Sequence, residues 1–255
     1  LALEEQAIKY RSLDDWFQTP QGIRVSLAFA SELKNFCEQL TGETLLQLGS
    51  GGENLWLPSL RFQHKWIVTP YIDAQKASLN APLNGLPIDR NSVDCIIAPL
   101  IMEAFQRDKN PLDEIDRILK SMGYIIFFGI NPWSFWGVSL KWGHLACFGR
   151  LPANLTSSFS VKRTLLHRGY SQYVHTSFYY VPPVIQENLL RKLEFFNEMG
   201  KMIWPFPAGF YCLILQKQQS CSPSALLDAV EEERLLECKP SLPVVGQLHK
   251  QILIF

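Results

Sequence analysis

Gly49, Ser50, Gly51 and Gly52 follow directly on the apolar run Leu45-Leu46-Gln47-Leu48. Glycine tolerates positive φ and carries no Cβ, so a turn of this composition lets the backbone come close to a nucleotide-like ligand. Gln47 offers hydrogen-bond donors and an acceptor but no charge. Glu53 in the next turn offers a negative charge to a ligand's ammonium group, and equally reads as a solvated residue at a helix start. A second polar turn, Asn131-Pro132-Trp133-Ser134, follows the apolar run Tyr124 to Ile130. There Asn131 supplies donor and acceptor, and Trp133 and Trp136 supply flat apolar walls. The same residues also read as a helix start. His144, His167 and His175 are the candidate bases, and His144 lies in the aromatic stretch Trp133 to Phe148. That stretch reads as a cover over a site or as ordinary core packing.

The elements that must position these residues are legible from patterning. Leu3 to Phe17 has weak helical character, and Thr19-Pro20-Gln21-Gly22 is a turn. Ile23 to Leu40 has a helical stripe at Ile23, Leu27, Ala30, Leu33, Phe36 and Leu40. Leu45 to Leu48, Lys65 to Thr69, Val93 to Leu100 and Tyr124 to Ile130 read as buried strands. Asn54 to Leu60 reads as a short helix limited by Pro58. A charged amphipathic helix starts at Asn110-Pro111 and ends at Met122-Gly123, with Leu112, Ile115, Ile118 and Leu119 inward. A short helix ends at Leu165-Leu166 before Gly169, Ser171 to Val181 alternates as a strand, Ile185 to Met199 is a helix, and Phe210 to Gln216 is the last core strand. Strands alternating with helices call for a three-layer α/β sandwich around a mostly parallel sheet, and the two final strands are placed to add an antiparallel edge. Asp94, at the start of its strand, reads as a cap away from the ligand edge. Asp116 and Arg117 read as partners for loops below the sheet.

Twenty-four basic and 24 acidic side chains leave 255 residues with no net charge, which argues against a nucleic-acid backbone as the main partner. No apolar run approaches the roughly twenty residues of a membrane span. Leu1 to Arg11 is too charged for a secretory signal, and the missing Met suggests a trimmed start. Six cysteines, Cys37, Cys95, Cys147, Cys212, Cys221 and Cys238, show no Cys-x-x-Cys spacing, so no metal site is expected and a reducing, cytoplasmic setting is. After Lys217 the composition shifts to a polar linker, an acidic helix over Ala225 to Cys238 and an apolar end at Ile252 to Phe255. The expected division is therefore a domain over 1–217 and an appendage over 218–255, with a homodimer contact through that tail.

The ordered set Leu46-Gln47-Leu48-Gly49-Ser50-Gly51, Leu86-Pro87 to Ser92-Val93-Asp94, and Leu112 to Gly123 resembles the class I S-adenosylmethionine-dependent methyltransferases of the type 11 kind. More narrowly it is similar to a poorly characterised bacterial group, through Trp16 to Gly22, Asn131 to Gly137, Pro182-Pro183, Trp204-Pro205 and Phe210 to Lys217. The likeness spans Leu13 to Lys217. It implies a seven-stranded Rossmann-like sheet with an antiparallel last strand, and methyl transfer to a small or lipid-like acceptor. It also implies a cofactor site at Gln47, Gly49, Ser50, Gly51, Gly52, Thr69, Asn84, Gly85, Leu86 and Pro99, with substrate contacts at Asn131, Trp133, Trp136 and His144. Methyl transfer from a sulfonium is in-line displacement, which needs alignment and exclusion of water more than a fixed triad. No catalytic residue is singled out.

Several family positions are altered here. Gln47 stands where an acid is usual, Glu53 where a third glycine is, Leu100 where a His is common, and no acid appears after Thr69 until Asp73. The second reading is therefore a methyltransferase-fold module that has lost the cofactor and binds a partner. A nicotinamide-dependent oxidoreductase would want Gly-x-Gly-x-x-Gly and an acid after the second strand, and the chain has neither in full.

Overall fold

The computed structural model describes residues 2–73, 75–105, 111–143, 145, 147–149, 151–184, 192–193 and 207–218. Apolar runs become the strands β1 (Gly42–Leu48), β2 (Phe62–Thr69), β4 (Val93–Pro99), β5 (Leu119–Ile130) and β7 (Phe210–Lys217), with β3 (Leu79–Asn80) and β6 (Tyr170–Phe178) at the two edges. They form one seven-stranded sheet in the order β3-β2-β1-β4-β5-β7-β6. β1 pairs in parallel with β2 and β4, and β4 in parallel with β5, whereas β7 runs antiparallel to both β5 and β6. The order reverses direction between β1 and β4. That puts a crevice at their carboxyl ends, where open α/β sheets place ligands.

Helix α1 (Ala2–Phe17) leads into α2 (Pro20–Lys34). The Thr19 side chain caps α2 by accepting from the Gly22 amide at 3.1 Å and donates its hydroxyl to the Trp16 carbonyl at 2.6 Å. A Cβ on Gly22 would overlap that carbonyl. The buried face of α2 carries Gly22, Val25, Phe29 and Leu33, while Ile23 and Leu27 are 41% and 54% exposed. The stripe expected from Ile23 and Leu27 is therefore rotated, because Phe29 takes the core instead. Its ring stacks on Phe128 of β5 at 4.1 Å and meets Phe178, Phe210 and Trp56 edge-on or tilted at 5.5–5.7 Å.

Two further expectations are corrected. The helix over Asn54 to Leu60 shrinks to one 3₁₀ turn, Leu57–Ser59, because Asn54 is left-handed at φ 49° and Pro58 contributes no amide. Helix α4 (Leu112–Ile118) stops four residues before Met122, and Leu119 already pairs with Val93 of β4. Ladder pairing outweighs helical periodicity there, with Met122 at φ 64° absorbing the kink. Helices α3 (Ile101–Ala104), α5 (Phe135–Lys141) and α6 (Ser158–Leu166) complete the domain. Asp94 accepts from the Glu43 and Thr44 amides and pairs with Lys120 at 2.7 Å, clamping the amino edge of the sheet. The expected helix over 185–199, apart from 192–193, and the whole tail from 219 lie outside the described residues.

Gly22→Ala should destabilise the protein by about 2 kcal/mol or more, since overlap with the Trp16 carbonyl exceeds the ~1 kcal/mol gained in helix propensity. Urea unfolding with an unchanged slope and a lower midpoint would show it. An unchanged midpoint would mean the α1–α2 corner is not tightly packed.

Candidate functional site

At the carboxyl end of β1 the chain turns through Gly49 at φ 86° and Gly52 at φ 62°. Gln47, completely buried, holds this turn from inside. Its Nε2 donates to the Gly49 carbonyl at 2.8 Å and to Asn54 Oδ1, and its Oε1 accepts from the Trp56 indole at 2.8 Å. Asn54 Oδ1 also accepts from the Gly51 amide at 2.9 Å. Asp14 of α1 accepts from the Gly52 amide at 2.8 Å. A Cβ on Gly49 would overlap the Tyr10 ring, one on Gly51 the Trp56 ring, and one on Gly52 would crowd Phe17 at 3.1 Å. The turn is thus covered by side chains of α1 and by Trp56. Ser50 is buried, and its hydroxyl has no partner among the described residues.

The neighbouring strand end carries a buried acid. After Pro99, Leu100 adopts φ 52° and starts α3, which aims Glu103 inward with no exposure. Glu103 Oε1 accepts from the Ile130 amide at 2.8 Å, joining the ends of β4 and β5, while Oε2 has no partner among the described residues. Burial pushes the Glu103 carboxyl up to about 8, and its hydrogen bond offsets only part of that. Its charge acts on Tyr10, Tyr211 and Cys147, all of which are pushed up chiefly by burial and secondarily by Glu103. The Tyr10 hydroxyl, like Glu103 Oε2, is buried with no partner among the described residues.

The other expected site residues are distributed as follows. Thr69 ends β2 and donates its hydroxyl to Tyr71 and Asn80. Asn84 and Gly85 are exposed, and Leu86 is tied to α4 through Glu114 and Arg117 rather than set on the glycine turn. Glu53 is exposed beside a cavity of ~330 Å³ shared with Lys65 and Lys76. Asn131 Oδ1 accepts from the Trp133 amide, and the cap of α5 is Ser134. Trp136 is 1% exposed and donates to the Val181 carbonyl at 2.7 Å, so it is a core residue here and offers no open wall. Trp133 is 81% exposed and, with Pro132, borders a cavity of ~540 Å³ floored by Met102, Phe105, Leu155 and Val161 and rimmed by Thr156, Ser157, Ser160 and Thr164. None of its described lining residues is ionisable. His144 lies outside the described residues. Among the described residues no His, Cys, Asp or Glu cluster has metal-binding geometry. Patterning did not single out Tyr10 and Asp14, although their i, i+4 spacing on α1 was a usable signal; nor did it give Glu103 a role.

No family model and no curated protein matches the chain. Solved structures do. A possible histamine N-methyltransferase of Thermotoga maritima, described as S-adenosylmethionine-dependent, superposes with a TM-score of 0.54 at 15% identity, over 83% of this chain and 99% of that one. An S-adenosylmethionine-dependent methyltransferase of Mesorhizobium loti does so with a TM-score of 0.52 at 10% identity, over 73% and 96%. Geranyl diphosphate C-methyltransferase of Streptomyces coelicolor, solved with Mg²⁺, geranyl-S-thiolodiphosphate and S-adenosyl-L-homocysteine, reaches 0.50 at 16% identity, over 73% and 76%. The fold is the Rossmann-like methyltransferase fold.

Glu103 has a pH consequence. Between its ordinary range near 4.5 and about 8, the folded protein keeps a proton that the unfolded chain has released. Its contribution to stability therefore falls as pH rises through that window, by roughly a few kcal/mol, and levels off above it. Tyr10, Tyr211 and Cys147 stay neutral throughout. Chemical unfolding at pH 5, 6.5 and 8 should show this decline, and Glu103→Gln should flatten it. An identical slope in the variant would assign the decline to other groups.

Proposed function

We propose that the chain is an S-adenosylmethionine-dependent methyltransferase acting on a small or lipid-like acceptor, with the Gly49–Gly52 turn as its cofactor cradle. The observation that carries this reading is the place of the turn: it ends β1 at the reversal point of a sheet in the methyltransferase strand order. The acceptor would enter the ~540 Å³ cavity beside Trp133, where apolar side chains and hydroxyls suit an uncharged, amphiphilic molecule. The geranyl analogue in the Streptomyces coelicolor enzyme is a precedent for an acceptor with an apolar body. Among the described residues no helix is long and apolar enough to cross a membrane. The cytoplasmic setting is proposed from the cysteines alone. Residues 218–255 are kept as an appendage suited to self-association.

The cofactor does not fit the turn as it is arranged here. Tyr10 covers Gly49, Trp56 covers Gly51, and Asp14 already holds the Gly52 amide. Those contacts, with Gln47 in place of an acid, favour a second reading in which the fold serves as a cofactor-free binding module. Calorimetric titration with S-adenosylhomocysteine and S-adenosylmethionine separates the two. The methyltransferase reading expects saturable binding and a stabilisation of about 2.7 kcal/mol at a hundredfold excess over Kd. Absence of binding at millimolar ligand would favour the module.

A further inference from the structure

We propose that the stretch of α1 from its start to Asp14 is an intramolecular plug, which occupies the glycine turn in place of a ligand and swings away to admit one. This rests on the reading of that turn as a ligand cradle. Two contacts imitate a ligand. The Tyr10 ring lies on Gly49, in the space the missing Cβ leaves. The Asp14 carboxylate accepts from the Gly52 amide at 2.8 Å and so takes up a backbone donor of the turn that a ligand acceptor could otherwise use. Asp14 is also held by Lys76 at 3.6 Å and by Gln18.

The plug is imperfectly satisfied, which is what makes it removable. The Tyr10 hydroxyl, Ser50 Oγ and Glu103 Oε2 are all buried around the ends of β1 and β4 with no hydrogen bond among the described residues. Each is an unmet desolvation penalty in the closed form that water or a ligand would relieve in the open form. Beyond Asp14 the helix is anchored differently. Trp16 packs on Trp136, Phe17 on Phe29 and Trp56, and Thr19 caps α2, so the hinge falls between Asp14 and Trp16. Lys9 and Glu5 pair within α1 at 3.1 Å and would travel together.

A plug in equilibrium with an open form lowers apparent affinity by the open fraction. Tyr10→Phe removes only the orphaned hydroxyl, so it should favour the closed form and weaken S-adenosylhomocysteine binding by about tenfold. Tyr10→Ala should open the turn and tighten binding, and should speed hydrogen exchange at the Gly51 and Gly52 amides without ligand. Equal affinities and equal exchange in the three proteins would overturn the plug and leave the methyltransferase reading standing. Faster exchange in Tyr10→Ala with no binding by any of them would keep the plug and remove the cofactor. Should Tyr10→Ala not fold, Tyr10→Phe decides alone, and binding as tight as that of the wild type overturns the plug.

Discussion

The buried amide of Gln47 is the constraint on which the ligand edge depends. A side-chain amide has two donors and an acceptor, and burial obliges each to find a partner. Gln47 meets them with the Gly49 carbonyl, Asn54 Oδ1 and the Trp56 indole. A carboxylate at this position would keep the Trp56 bond but turn a lone pair toward two oxygens. An uncharged amide at Gln47 is therefore coupled to Asn54 and Trp56. Together the three lock the turn into the shape that presents Gly49 and Gly52 to α1.

That locked turn meets a second constraint from the other side. Its remaining amide at Gly52 must be satisfied, and Asp14 of α1 does so. Because the same helix carries Tyr10 and Phe17, satisfying the amide also brings the Tyr10 ring over Gly49 and the Cβ and backbone of Phe17 against Gly52. Among the described residues, three of the buried polar groups left without a hydrogen bond, on Tyr10, Ser50 and Glu103, gather around the two strand ends that flank the order reversal; Tyr71, Thr176 and Tyr179 carry the others. On the opposite edge Asp94, Arg117 and Lys217 have hydrogen bonds and ion pairs made. Three unmet buried groups thus sit at the edge where open α/β sheets place ligands, a cost of the kind functional edges store.

Sequence patterning alone established the parallel core strands, the glycine turn after β1 and the polar turn after β5, and it left room for the antiparallel edge that the family resemblance implied and the sheet shows. These follow from local facts: apolar runs of strand length, glycines that permit positive φ, and proline at element starts. It also placed Asp94 on the clamped edge, because a charged residue at the mouth of a buried strand has few other uses.

Tertiary structure alone decided which face of each element is inside and what the glycine turn touches. Ile23 and Leu27 fit a helical stripe as well as Val25 and Phe29 do, and only the stack of Phe29 on Phe128 selects between them. Trp133 and Trp136 are the same residue type three positions apart, yet one stands in solvent and the other donates to the Val181 carbonyl in the core. Leu119 to Met122 continues a helical pattern and joins the sheet because Val93 is there to pair with it. The placement of Tyr10 and Asp14 on a turn some forty residues away is of the same kind. Local periodicity encodes the type of an element, whereas its partners are set by long-range packing and hydrogen-bond satisfaction, which no short window of sequence contains.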